Sequence, residues 1–262
     1  MKIGLSTWSL LGLDVVSAVR AVGDAGFAYI ELWGDAPHAF PDWVNRGSLK
    51  DALSSYRMVV TMHAPFAYLN PATPFQPVKG AVENTLEDFV RFGDYLEARV
   101  ITVHAGNVHN EALVPGSAEN AISTIRKMVK VADGRLAISV ENQSRSTSKY
   151  DYPLATTPES LEGFLGAVEG LRFTLDTGHA HVNGLNPSRV AQWAGSRLIE
   201  VHLSDNAGIS DDHLIPGMGT ADLKKLKENL SGTDVLLCLE LNPHRYSPQE
   251  VLRASAPFRT DT

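Results

Sequence analysis

The chain of 262 residues carries one cysteine, Cys238, so no internal disulfide framework is open to it. It lacks any apolar run near the roughly 20 residues that cross a bilayer as a helix, so no membrane partner is expected. It also lacks cationic excess: 23 lysines and arginines face 30 acids, giving a net charge of -7. A field of that sign repels polyanions, which counts against nucleic acid as a partner unless cations gather locally. No linker or low-complexity segment interrupts the chain, so one domain over residues 1–262 is expected. Met1-Lys2-Ile3 leads straight into strand-like sequence without a signal-peptide pattern, and the cytoplasm is the expected compartment.

What is present is a regular alternation. Hydrophobic patterning predicts strands over 3–8, 29–33, 58–63, 100–104, 136–141, 171–176, 198–203 and 235–241. Helices are predicted over 14–25, 48–56, 78–96, 117–132, 158–168, 187–194, 221–230 and 248–254. Eight of each, in a chain close to the roughly 250 residues typical of the fold, predict an α/β (β/α)8 TIM barrel. A doubly wound open sheet is the rival, but its usual Gly-rich turn after the first strand is missing.

The two faces of these strands differ, as closure requires. Val60 and Met62, Ile101 and Val103, Ile138 and Val140, Phe173 and Leu175, Ile199 and Val201, and Leu237 and Leu239 are predicted to face a helix ring. Thr61, Thr102, Ser139, Thr174, Glu200 and Cys238 form the other face. Each is followed two residues later by an acid or a histidine: His63, His104, Glu141, Asp176, His202 and Glu240. These six would point inward at the C-terminal rim, where barrel enzymes carry their chemistry. The stretch from Phe173 to His181 adds His179, three residues beyond Asp176 across Gly178, and a sharp turn there would aim both side chains at one point. Imidazole and carboxylate donors suit zinc, manganese or iron. So many acids at one rim need a cation to balance them.

The chain resembles the xylose-isomerase-like TIM-barrel superfamily, which holds sugar isomerases and epimerases together with the endonuclease IV type of apurinic-site nuclease. The matching pieces are Met62-His63-Ala64-Pro65, Val103-His104-Ala105-Gly106, Val140-Glu141-Asn142, Leu175 to His179, Val201 to Asp205, Asp211 to Gly219, and Leu239-Glu240-Leu241. The resemblance implies that Glu141, Asp176, His202 and Glu240 hold one divalent metal, Zn2+ or Mn2+. It further implies that His63, His104, His179, Asp211 and His213 stand where endonuclease IV adds ligands, so more than one metal per chain is expected.

Two activities follow from that resemblance. A sugar or sugar phosphate isomerase or epimerase moves a proton at carbon beside a carbonyl, with Glu141 and Glu240 as paired acid and base and His179 beside them in the catalytic set. An apurinic-site nuclease needs a metal-activated hydroxide and a cationic surface. The rim loops favour the sugar: Arg145, Lys149 and Arg245 face Asp35, Asp42, Glu111, Asp151, Asp205 and Asp212. Trp8, Trp33, Phe66, Tyr68, Tyr150 and Tyr152 suit a sugar face, a wedge into DNA, or loop packing alone. His181 is a supporting residue for the ligands. His38, His109 and His244 lie near the rim without a role. A barrel that binds metal or ligand without catalysis is the third reading, and an oligomer is compatible with all three.

Overall fold

The predicted alternation folds into a closed barrel in the computed structural model, which describes residues 2–41 and 44–260. In chain order come β1 (Lys2–Ser6), α1 (Val15–Asp24), β2 (Tyr29–Trp33), α2 (Arg46–Tyr56), β3 (Val59–His63), α3 (Gln76–Tyr95) and β4 (Val100–His104). There follow β5 (Asn107–Val108), α4 (Val114–Ala132), β6 (Ala137–Glu141), β7 (Tyr152–Pro153), α5 (Pro158–Ala167) and β8 (Arg172–Asp176). The chain continues through α6 (Thr177–Val182), α7 (Pro187–Ala194), β9 (Leu198–Leu203), α8 (Leu223–Leu230), β10 (Leu236–Leu239) and α9 (Pro248–Ser255). All eight barrel strands run parallel in the order β1-β10-β9-β8-β6-β4-β3-β2, and β1 closes on both β2 and β10. The remaining two, β5 and β7, form a small antiparallel ribbon between rim loops. Among the described residues, no helix is long and apolar enough to cross a membrane.

Side-chain caps set where the helices begin. Asp14 accepts from Ser17 N at 3.0 Å to start α1, Asn45 starts α2, and Ser247 with Glu250 makes a capping box for α9. Three sequence expectations need correction. The first strand stops at Ser6, whose hydroxyl accepts from Trp8 N at 3.3 Å and turns residues 7–10 into a 3-10 helix, so Trp8 leaves the sheet. The last barrel strand ends at Leu239, which leaves Glu240 one residue beyond it. The turn expected after Asp176 is the six-residue helix α6, too short and too rich in Gly and His to show helical periodicity.

Between barrel and helices lies a continuous apolar core that includes Met62, Ile101, Val140, Phe173, Leu175, Val201 and Leu239, all buried as expected. Ile199 is only half-buried: it sits where the β8–β9 register slips between Phe173 and Thr174. The barrel interior is unusual for the fold in being hydrogen-bonded rather than filled with branched aliphatics. Glu200 Oε1 accepts from Thr61 at 2.8 Å and from the Tyr29 hydroxyl, and Oε2 accepts from Thr102 at 3.1 Å. Thr174 joins Thr102 and Ser139 at 2.9 and 2.7 Å. The Tyr29 ring reaches the axis because Gly4 leaves room: a Cβ at Gly4 would stand 2.2 Å from that ring. This satisfied polar layer forms a floor beneath the rim.

Candidate metal centre and active site

Each inward-facing rim position predicted from the alternation is occupied as expected. His63, His104, Glu141 and Asp176 are the last residues of β3, β4, β6 and β8, His202 is one short of the end of β9, and Glu240 follows β10. The loop after β9 brings in Asp211 and His213. Glu141 is the hub. Its Oε2 lies 3.0 Å from His63 Nε2 and 3.1 Å from His104 Nε2, and its Oε1 lies 3.3 Å from His179 Nδ1 and 3.4 Å from His202 Nδ1. Glu240 Oε2 approaches the same His202 Nδ1 to 3.6 Å. Asp211 Oδ2 bridges His179 Nε2 and His213 Nε2 at 2.9 and 3.1 Å.

The donors arrive pre-oriented. His63, His179 and His213 each hold Nδ1 against a main-chain carbonyl, of Ala64, Asn142 and Glu240 at 2.8, 2.8 and 3.2 Å, which turns Nε2 toward Glu141 in His63 and toward Asp211 in the other two. Asp176 serves two ends: Oδ1 accepts from His179 N at 2.6 Å and caps α6, while Oδ2 is buried without a partner. Asn142 locks the ligand-bearing strands together, its amide giving to Asp176 O at 2.9 Å and taking from Asp176 N at 2.8 Å. Gly178 is required by close approach, because a Cβ there would meet Ser204 Oγ at 2.7 Å and Asp211 Oδ1 at 3.1 Å.

Several of these acids and histidines fit a divalent cation. Glu141, Asp176, His179, His202, Glu240, Asp211, His213 and His63 fall into overlapping groups of three whose donor atoms lie within 4.8 Å of one another. Asp176 Oδ2 and His202 Nδ1 are buried with no hydrogen-bond partner and stand ready as metal ligands. Among the described residues, the ion-pair partners of the site's carboxylates are histidines, never lysine or arginine. Without a metal, protons supply the balancing charge. Burial would lower His63, but the Glu141 hydrogen bond and charge outweigh it and lift it to about 9. His213 is held at about 9 against burial by Asp211. Burial pushes Glu240 up to about 8, with Glu31 and Glu141 adding to it against His202 and His213. Glu141 goes the other way, well below the usual carboxylate range, because His202 and His104 overcome its burial. His104 is lowered, burial outweighing Glu141.

Above the cluster opens a cavity of about 340 Å³, lined by the aromatic Trp8, Trp33 and Phe66 and by the polar Ser144, Asn242 and His244. Phe66 lies 4.4 Å from the His104 ring and Trp8 4.6 Å from that of His213, centroid to centroid. Among the described residues, no lysine or arginine lines the cavity. The expected acidic mouth needs revision: Asp35 is buried and accepts from Phe66 N at 3.0 Å, and Asp205 accepts from Gly217, Gly219 and Ala221. Both are loop anchors, and Asp42 lies outside the described residues. Tyr68 and Tyr150 are exposed, away from the cavity wall. His181 bonds Thr220 at 2.9 Å and ties α6 to the next loop without touching a candidate ligand; His38 is buried against Leu13 O, and His109 pairs with Asp151.

Sequence reasoning missed Glu31. It is fully buried on β2, and its Oε2 lies 2.9 Å from His202 Nε2. A charged residue inside the apolar run Tyr29-Ile30-Glu31-Leu32-Trp33 was the available signal, since such a group is buried only with a partner. Asn142 was legible only as a neighbour of Glu141.

Comparison with known proteins agrees with this architecture. The chain is 29% identical to the Methanocaldococcus jannaschii protein MJ1311 over 252 residues, covering 92% of this chain and 83% of that one. It is 22% identical to fructoselysine 3-epimerase of Escherichia coli O157:H7, across 88% of this chain and 86% of the other. Among solved structures, a D-tagatose 3-epimerase-like protein superposes with a TM-score of 0.86 at 25% identity, covering 98% and 96% of the two chains. A family 2 AP endonuclease from Brucella melitensis shares the fold with a TM-score of 0.81 at 16% identity, covering 98% and 99%. The family model described as xylose isomerase-like TIM barrel matches residues 19–260, and the chain belongs to that family.

Proposed function

We propose that the protein is a metal-dependent epimerase of an unphosphorylated ketose, acting at the carbon beside the carbonyl. The observation that carries this reading is the cavity itself. It has room for a monosaccharide, has aromatic walls for a sugar's C–H face, and among the described residues has no lysine or arginine to receive a phosphate. The epimerase names of the relatives support it.

In this reading Glu141, Asp176, His202 and Glu240 hold one divalent ion. When bound, that ion supplies Lewis-acid stabilisation of negative charge on the sugar's oxygens. Glu141 and Glu240 stand three strands apart around the barrel, on β6 and just past β10, and both reach within 3.6 Å of His202 Nδ1. Two carboxylates so placed flank a sugar from different sides. One removes the proton from carbon on its face, and the other returns a proton on the opposite face, inverting that centre. Trp8, Trp33 and Phe66 present apolar ring surface to the sugar's C–H bonds. His179, fixed by Asn142 O and Asp211, lines the same cavity and holds Asp211 at its wall.

A second reading, phosphodiester hydrolysis, has one observation in its favour: Asp211 with His179 and His213, and Glu141 with His63 and His104, offer donors for further metal ions. Incubation of the metal-loaded protein with ketoses in deuterated water separates the two. Deuterium entering carbon-bound positions of a ketose supports the epimerase, whereas no exchange together with cleavage of an abasic oligonucleotide replaces it with the nuclease.

A further inference from the structure

We infer that Glu31 is a positioning residue that decides which nitrogen of His202 faces the metal. This rests on the reading that Glu141, Asp176, His202 and Glu240 share one ion. His63 and His213 turn Nδ1 to a main-chain carbonyl and Nε2 to the acids, and His179 also gives Nδ1 to a carbonyl, with Glu141 Oε1 3.3 Å from that nitrogen. His202 is reversed. Its Nδ1 faces Glu141 Oε1 and Glu240 Oε2 at 3.4 and 3.6 Å, and its Nε2 faces away from them, 2.9 Å from Glu31 Oε2.

The contact is an ion pair off the N–H axis rather than a directed hydrogen bond, since neither atom has a hydrogen-bond partner. Two bare lone pairs would repel at 2.9 Å, so Nε2 keeps its proton and Nδ1 is the nitrogen left to bind the metal. Both residues are fully buried, so no water competes for this role. Glu31, Glu200 and His202 also bring donor atoms together, but an interior ion there is excluded by Glu200, whose two oxygens are engaged by Tyr29, Thr61 and Thr102. Glu31 is the group left for His202. A carboxylate behind a ligating imidazole fixes its tautomer and strengthens its donation.

Long-range 1H–15N correlation on zinc-loaded, 15N-histidine-labelled protein reads the tautomer directly in the unmodified chain: His202 is expected to bind through Nδ1 with a protonated Nε2. Chelator competition then compares zinc affinity in Glu31→Gln and Glu31→Ala. Both are expected to bind about 10- to 100-fold more weakly, as for loss of such partners elsewhere. Zinc bound through His202 Nε2, or unchanged affinity in a folded Glu31→Gln, overturns the role of Glu31 alone. If the unmodified chain binds no zinc, the metal reading falls and this inference with it.

Discussion

His63 and His104 converge on a single oxygen, Oε2 of Glu141, at 3.0 and 3.1 Å, while the other oxygen of that carboxylate turns to His179 and His202. Glu141 therefore stands between two sets of nitrogen donors, as a bridging ligand does. More than one metal per chain is expected by elemental analysis after zinc loading. The double change His63→Ala/His104→Ala should lower that number and leave the ion at Glu141, Asp176, His202 and Glu240 in place. One metal per chain before and after the change would move both histidines to substrate binding.

Glu240→Gln should slow deuterium exchange into substrate by at least about 100-fold, the scale expected when a general acid or base is removed. A rate within a few-fold of the unmodified enzyme would remove Glu240 from the proton transfer.

The metal-free protein should lose stability on going from about pH 6.5 to 9. His63 and His213 rise from 6.5 to about 9 on folding, and Glu240 rises from 4.5 to about 8. A group whose pKa is higher in the folded state stabilises it below the unfolded pKa and loses that effect as pH climbs through the folded one, so all three act in the same direction. Metal binding requires those protons to leave, so the stabilisation by metal should grow over the same interval. Melting temperatures in chelator and in zinc, measured at half-unit steps, check this; a metal-free melting temperature that stays level across the interval contradicts it.

Asp205→Ala should strip acceptors from the main-chain N–H groups of Asn206, Gly217, Gly219 and Ala221. Leaving such donors unsatisfied costs on the order of 3 kcal/mol in total, less where water enters. Amide exchange at Gly217, Gly219 and Ala221 should quicken, and the order of the loop carrying Asp211 and His213 should fall with it. Unaltered exchange at these amides would show that the loop is held by something other than Asp205.

Abasic duplex DNA should bind only above micromolar concentrations at physiological salt, given the net charge of -7 and a cavity lined, among the described residues, by no lysine or arginine. Submicromolar binding in a fluorescence anisotropy titration would favour the phosphodiester reading.

Strand periodicity made the barrel legible because period-two patterning reports on two chemically different faces. The bulky residues at Met62, Val140 and Leu175 and the small ones at Thr61 and Ser139 fall on the sides they were assigned. The rim set was readable for the same reason, since a ligand two residues after a small inward residue points the same way. Glu31 escaped because it lies in a strand whose rim end carries Trp33, so it belongs to no repeating pattern. Asp35 and Asp205 were misread as surface charge because composition counts an acid without regard to the amides it accepts from. Helix α6 escaped because six residues are fewer than two turns.

Asp176 begins helix α6 with one oxygen and keeps the other buried and unpartnered within the ligand cluster, so a structural and a chemical duty fall on one carboxylate. Mutational paths that change the preferred ion at this position therefore run through the fold itself. Asparagine keeps the cap while giving up the anionic donor, and alanine forfeits both. Variation that retunes the centre has freer access through His63 and His104, whose strands end without a helix resting on their side chains.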